Sequence, residues 1–341
     1  MPWRAGGWAT AALALLALPQ ILPAYYLNLS TQVLFYAIFA MSLDLLVGYT
    51  GLSSLGHASF FGVAAYAVAL LQGRGITSLP VAVGVALLAA GIFAAVFGLL
   101  AIRGSPLGFL MITLALGQVL WGLAFRWAAL TGGDNGLAGI TRPSLPLGIS
   151  LQSSAAFYYF SLAVFAATSA VLWLIVRSPF GLVLIGIREQ PNRMRALGFH
   201  VTAYQYAAFI IAGCFAGVGG VLYTYFNAFV HPSVLTLTTS AEALLMVIAG
   251  GAGTLAGPVA GAALVVFLKN VVSAYLERWV ILLGVIYVVI VLFAPGGLAA
   301  GWQAMVERWW GRKPAGAAEA EAEAERARAA AWIKAGSAPP D

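Results

Sequence analysis

Long apolar runs constrain what this chain can fold into more than any other feature of its sequence. Most of them approach 20 residues, the length at which an α-helix spans a hydrocarbon core of about 30 Å and satisfies its own backbone groups. Since 62% of the 341 residues are hydrophobic and only 8% are charged, the chain is too apolar to fold in water. The sequence therefore predicts an all-α, polytopic integral membrane protein with about ten transmembrane helices, some of them broken or half-spanning. The apolar runs cover residues 8–22, 29–47, 55–71, 79–102, 107–130, 155–176, 204–229, 240–250, 255–272 and 280–293.

Basic residues are distributed unequally over the connections between these runs. With a cytoplasmic N-terminus, Arg103, the loop 177–204 and the basic start of the tail all fall on the cytoplasmic side. Cytoplasmic loops usually carry an excess of Lys and Arg, so we expect both termini to lie in the cytoplasm. The same asymmetry accounts for the net charge of +6, and we infer no nucleic-acid partner.

Composition separates a transmembrane domain, residues 1–310, from a tail, residues 311–341. Within the domain, the main outer loop, residues 131–154, contains TGGDNG and two prolines, which favour turns and offer a surface for a soluble partner. The tail is rich in Ala, Glu and Arg, and its glutamates at every second position do not form one helical face. We interpret it as a solvated, flexible cytoplasmic segment.

The loop 177–204 is a basic island that contains a short predicted helix over residues 188–198. Pro191 suits a first helical turn because its φ is fixed and it has no N–H, and Gly198 can adopt the left-handed conformation that closes a helix. Two interpretations fit this segment: an ordinary basic cytoplasmic loop, or a docking element for another protein.

Glycines recur at spacings that favour close helix packing. Gly253, Gly257 and Gly261 are four residues apart, a spacing that places bare backbone on one helix face, and Gly213 and Gly217 repeat it. We predict that these glycines pack helices together. The two glycine-rich segments, 48–62 and 250–261, share a loose pattern that hints at an internal repeat.

Polar residues at the ends of apolar runs are the candidates for a translocation pathway. Broken helices supply polar groups at membrane depth in many transporters, and intramembrane charges usually face the bundle interior or water. Asp44, within a turn of a predicted cytoplasmic end, can instead reach solvent, and His57 can instead be a hydrogen-bonded structural histidine. The candidate pathway residues are Ser53, Ser54, His57, Ser59 and Glu242.

Motifs of enzyme chemistry are missing from the sequence. It contains no phosphate-binding loop of the form GxxxxGK[ST] and no HExxH, and its three histidines lack ligand spacing. We expect no metal, no catalytic residue and no cofactor in this chain. If ATP powers transport, a partner must bind the nucleotide.

Several motifs together resemble the LivM-type permease subunits of branched-chain amino-acid ABC importers. They follow one another in the family's order over most of the chain, and as a set they are highly specific. They are GYTGLSSLGHASFFG at 48–62, GDNGL at 133–137, RE at 188–189 with ALG at 196–198, GGAGTLAGP at 250–258, and FAPGGL at 293–298.

This resemblance implies a multi-pass permease in a bacterial or archaeal cytoplasmic membrane. Its partners would be a second related permease, two cytoplasmic ATPase subunits that bind ATP and Mg²⁺, a periplasmic or lipid-anchored binding protein, and membrane lipid. It also implies a coupling helix that docks into an ATPase, formed by Arg188, Glu189, Gln190, Arg193, Ala196, Leu197 and Gly198. The segment 190–195 is more basic here than in many family members, and the residue after Pro295 is Gly296 where relatives often have a basic residue.

Branched-chain amino acids are the substrates that the resemblance implies, and two alternatives remain. Urea or short-chain amide permeases share most of these motifs. A secondary transporter coupled to H⁺ or Na⁺ would use Asp44 or Glu242 as its ion site.

Overall fold

A computed structural model describes residues 15–143 and 150–272, together with positions 284, 285, 288 and 297. These residues form an all-α fold, as predicted, with one two-residue strand pair. The helices are α1 (Ala24–Thr50), α2 (Ala58–Gly73), α3 (Leu79–Ala101), α4 (Pro106–Arg126), α5 (Ala128–Thr131), α6 (Ser154–Arg177), α7 (Pro179–Glu189), α8 (Pro191–Ala196), α9 (Val201–Asn227), α10 (Leu237–Gly250) and α11 (Ala256–Val271).

Five of these helices are long and apolar enough to cross a membrane: α1, α3, α4, α6 and α9. Helices α2, α10 and α11 are apolar but shorter, and α10 has 14 residues where the eighth apolar run predicted a short segment. A rise of 1.5 Å per residue makes α10 about 21 Å long, less than a hydrocarbon core of about 30 Å. The predicted mixture of full and partial spans is therefore confirmed. Part of the first predicted apolar run lies outside the described residues. Almost all of the tenth run lies outside them.

Serine caps and prolines set where several helices begin. Ser105, Ser153 and Ser178 each accept a hydrogen bond from a backbone N–H three residues later, which satisfies one of the free donors of a first helical turn. Pro106 and Pro179 follow two of these serines, at the position where a missing N–H costs nothing. These local signals define where α4 and α7 begin after their connecting segments.

Helix α1 lies at the centre of the bundle and packs against α6, α9 and α11. Next to it, α3 meets α9 along small side chains that repeat every four residues. Gly213 and Gly217 of α9 face Ala94 and Ala90 of α3, and an added Cβ at either glycine would come within 3.0 Å of an alanine methyl group. Close backbone approach of this kind stabilises helix pairs in lipid through dispersion forces.

The outer loop is attached to the bundle by polar contacts. Residues 137–138 (β1) pair with residues 229–230 (β2) in an antiparallel ladder, which links the loop to the segment between α9 and α10. Arg142 donates to the carbonyls of Tyr225 and Phe226 in the last turn of α9, and its guanidinium lies 4.6 Å from the Phe157 ring centroid. A cation is favourable at a helix C-terminus, because the free carbonyls carry partial negative charge.

Candidate functional site

Two interruptions in the bundle organise its polar residues. The first, residues 51–57, separates α1 from α2, and the second, residues 251–255, separates α10 from α11. Gly51 at the end of α1 has φ +73°, and Gly251 and Gly253 have φ +113° and +82°. Positive φ values strain other residues, so glycine permits these sharp changes of direction.

His57, at the start of α2, is the centre of a polar cluster comprising Ser42, Ser54, His57, Ser59, Thr113 and Ser240. The Nε2 atom of His57 lies 2.9 Å from Ser42 Oγ. The Ser42 hydroxyl lies 2.7 Å from the carbonyl of Phe39 and donates to it, so we assign the His57 proton to Nε2, as the donor to Ser42. Ser240 Oγ of α10 accepts the Ala58 N–H at 3.0 Å. The cluster therefore joins the N-terminal ends of α2 and α10.

All six side chains of the polar cluster are fully or almost fully buried. Ser54 Oγ, Ser59 Oγ and His57 Nδ1 have no hydrogen-bond partner among the described residues. Ser53 is only partly buried. Ser54, His57 and Ser59, three of the predicted pathway residues, are thus packed between helices. Buried polar atoms without partners are rare and costly, so they mark a place where water or a polar ligand can bind.

Asp44 anchors a second polar arrangement at the other interruption. Its Oδ1 accepts the backbone N–H of Gly253 at 2.8 Å, which ties α1 to the turn between α10 and α11. Arg188, the penultimate residue of α7, donates from Nη1 to the carbonyl of Gly48 on α1 and interacts electrostatically with Asp44. We call Asp44, Gly48, Arg188 and Gly253 the clasp. Gly48 lacks a Cβ that would collide with the Gly253 backbone.

Two details of the sequence prediction require correction here. Arg188 and Glu189 end α7, whereas the short helix α8 starts at Pro191, because Gln190 has φ −149° and separates the two helices. Gly253 lies in the turn before α11, so it does not share a helix face with Gly257 and Gly261. Those two glycines do pack closely: a Cβ on either would collide with carbonyls of α10 or the following turn.

Glu242 is paired with a lysine that is not among the predicted site residues. Lys269 Nζ, on α11, lies 2.9 Å from both carboxylate oxygens of Glu242 on α10. One position further, Asn270 donates to Gln32 of α1 at 3.1 Å. Lys269 falls inside the apolar run 255–272, and a charge inside such a run was the signal that could have identified it.

The segment that follows α7 is largely exposed. Leu197 is 66% exposed, and every residue of α8 except Met194 is exposed. The Met194 side chain packs over Gly186 of α7, where an added Cβ would come 2.8 Å from its sulfur, so this contact orients α8 against α7. Gly198 has φ +88° and its N–H donates to the carbonyl of Arg195, as expected for a glycine that ends a helix.

Apolar helices of full and partial length, interrupted at glycine turns and with polar groups at the breaks, define a polytopic protein of the membrane-transporter class. The chain belongs to the family described as branched-chain amino acid transport system / permease component, whose model matches residues 25–294. The resemblance inferred from the motifs is confirmed. The chain is similar to the high-affinity branched-chain amino acid transport system permease protein LivM of Salmonella typhimurium strain LT2 and to LivM of Escherichia coli strain K12. Each is 29% identical over 298 residues, which cover 80% of this chain and 69% of the relative.

Proposed function

We propose that this chain forms half of a translocation pathway for branched-chain, hydrophobic amino acids in an ATP-driven importer. The observation that carries the proposal is the family match over residues 25–294, together with two relatives named as branched-chain amino acid permease proteins. The other half of the pathway is a second, related permease. A binding protein outside the membrane captures the substrate, so the pathway needs only small, weakly polar surfaces.

Separate ATPase subunits with ATP and Mg²⁺ drive alternating access in this proposal. The exposed segment from Glu189 to Gly198 contacts an ATPase, and α7 transmits its movement to the bundle. Supporting geometry comes from the clasp, because Arg188 connects the last turn of α7 to Gly48 of α1 and approaches Gly253. A displacement of α7 therefore acts on both interruptions of the bundle.

The ion pair between Glu242 and Lys269 favours this mechanism over coupling to H⁺ or Na⁺. An ion site requires a carboxylate that is free to bind the ion, whereas both oxygens of Glu242 are occupied by one ammonium group at 2.9 Å. Separating such a pair at membrane depth is costly. Asp44 Oδ1 accepts the Gly253 N–H, but its Oδ2 has no hydrogen-bond partner among the described residues, so only the Glu242 ion pair disfavours ion coupling.

Reconstitution in proteoliposomes tests the proposal. The chain is purified with its partner permease, ATPases and binding protein, and uptake of labelled leucine is measured with and without internal ATP. We expect uptake that requires ATP and withstands a proton ionophore. Uptake that persists without ATP refutes the mechanism, and labelled urea transported in preference to leucine refutes the substrate.

The docking segment is tested in the same system with Arg193→Glu, which reverses an exposed charge on α8. Arg126→Glu is the matched control, because Arg126 is also exposed and lies in the last turn of α4, at the end of the bundle opposite α8. We expect the first variant to lose leucine uptake while its ATPases stay active, and the control to transport normally. Equal uptake by both variants contradicts docking through α8.

A further inference from the structure

A cavity of about 520 Å³ lies beside α8, between the end of α3 and the start of α9. Its volume falls within the range of about 300–1,000 Å³ typical of small-molecule sites. The walls combine basic and apolar side chains, and Arg195 is the arginine of the 177–204 loop that lies among them. The residues that matter here are Leu99, Ile102, Arg103, Arg195, His200 and Tyr206.

Positive charge dominates this cavity. Arg103 follows α3 and Arg195 lies on α8. The 27-residue helix α9 begins directly after His200, and the dipole of that helix adds further positive potential at its N-terminus. Neither of the two ion pairs among the described residues involves Arg103 or Arg195. None of the described residues that line the cavity carries a carboxylate. An anion is the ligand that this arrangement favours.

The apolar surface next to the cavity indicates what kind of anion fits. Leu88, Ile92, Val96 and Leu99 of α3 are 49–68% exposed and follow one another at spacings of three or four residues, so they form one outward stripe. The stripe extends about 16 Å along the helix axis and ends at Leu99, in the cavity wall. A soluble anion would not contact this stripe. A lipid can place its anionic head in the cavity and its apolar tail along the stripe.

We propose that this cavity binds the headgroup of an anionic phospholipid, with an acyl chain along the outward stripe of α3. The phosphate lies between Arg103 and Arg195, close to the N-terminal end of α9. Basic pockets between transmembrane helices bind anionic headgroups in this way. The lipid thereby becomes a structural neighbour of α8, because Arg195 belongs to that helix.

Native mass spectrometry of the full-length chain with its partner subunits tests the site. Phosphatidylglycerol is the probe and phosphatidylcholine the comparison. The double variant Arg103→Gln, Arg195→Gln should weaken phosphatidylglycerol binding roughly 30-fold, since each arginine near a membrane surface contributes about fivefold. The double lysine variant should retain most of the preference. Arg177→Gln, at the same end of the bundle but outside the cavity, is the matched control and should change binding less than about twofold.

Four outcomes overturn the proposal. An equal loss with Arg177→Gln means that general surface charge attracts the lipid. Displacement of the lipid by millimolar inorganic phosphate means that a free anion is the ligand. Unchanged lipid binding in the double glutamine variant, together with dissociation of the ATPase subunits, means that the cavity is a protein-docking surface. A lysine variant that behaves like the glutamine variant shows a structural defect and also refutes the assignment.

Discussion

The clasp makes a quantitative prediction about Arg188 and Asp44. Arg188→Met keeps an apolar stem but removes the charged donor to the Gly48 carbonyl and the positive charge that acts on Asp44. A hydrogen bond to a charged group contributes about 1.5–3 kcal/mol. Because much of Arg188 is solvent-exposed, screening reduces this figure, and we expect the variant to lose about 1–2 kcal/mol of unfolding free energy.

The electrostatic part of that loss is separated by a double-mutant cycle with Asp44→Asn. Asparagine keeps an oxygen that can accept the Gly253 N–H but carries no charge. In that background, Arg188→Met removes only the hydrogen bond to Gly48. We expect a coupling free energy of about 1 kcal/mol between the two positions, above the deviation of about 0.3–0.5 kcal/mol that independent sites show.

The unfolding free energy is measured by equilibrium unfolding in detergent mixtures with increasing dodecyl sulfate. Tryptophan fluorescence reports the fraction of protein that is unfolded. Arg126→Met is the matched control, because Arg126 is exposed at the opposite end of the bundle, and its effect should stay within about 0.5 kcal/mol. If the effects of the two single variants add to within 0.5 kcal/mol, the charges of Arg188 and Asp44 do not interact and the clasp consists only of separate hydrogen bonds.

Three further predictions concern glycines and the outer loop. Gly261→Ala should lower the unfolding free energy by about 1–3 kcal/mol, because its Cβ would collide with the Met246 carbonyl. Gly84→Ala is the control: Gly84 has open space around it, so this variant should be neutral or stabilising in the same titration. Gly198→Ala meets no atom within 4 Å but must hold φ +88°, so we expect faster proteolysis of the segment 189–200 with unchanged global unfolding. Arg142→Gln should increase hydrogen exchange in the outer loop and cost about 1–3 kcal/mol, because the loop loses its charged donor to the end of α9.

Local features of this protein were predictable from its sequence. The short apolar run 240–250 predicted a short helix, and α10 has 14 residues. Pro191 was predicted to lie in a first helical turn and Gly198 to be left-handed; Pro191 begins α8, and Gly198 has positive φ. Each of these depends on a few neighbouring residues, whose backbone preferences act at short range. The predicted roles in docking and translocation stay predictions.

Long-range polar contacts were not predictable from spacing. Arg188 was assigned to an outward docking helix, yet its guanidinium contacts Gly48 of α1, because Arg188 lies four residues after the buried Leu184 and so shares the packed face of α7. Lys269 was overlooked although it lies in an apolar run, and its partner Glu242 is 27 residues away on another helix. Sequence spacing within one helix says nothing about which neighbour a charge will meet.

The clasp can form only late in the synthesis of the protein. Asp44 enters the membrane with α1, but the Gly253 N–H that binds its carboxylate is 209 residues further along the chain. At about 5–20 residues per second, a ribosome needs roughly 10–40 s to supply that partner. Throughout this interval α1 carries a carboxyl group without its final contacts, a costly state at membrane depth. The central helix of the bundle therefore gains this contact only after α10 and the turn that follows it have been made. Until then, water or the insertion machinery must solvate its carboxyl group.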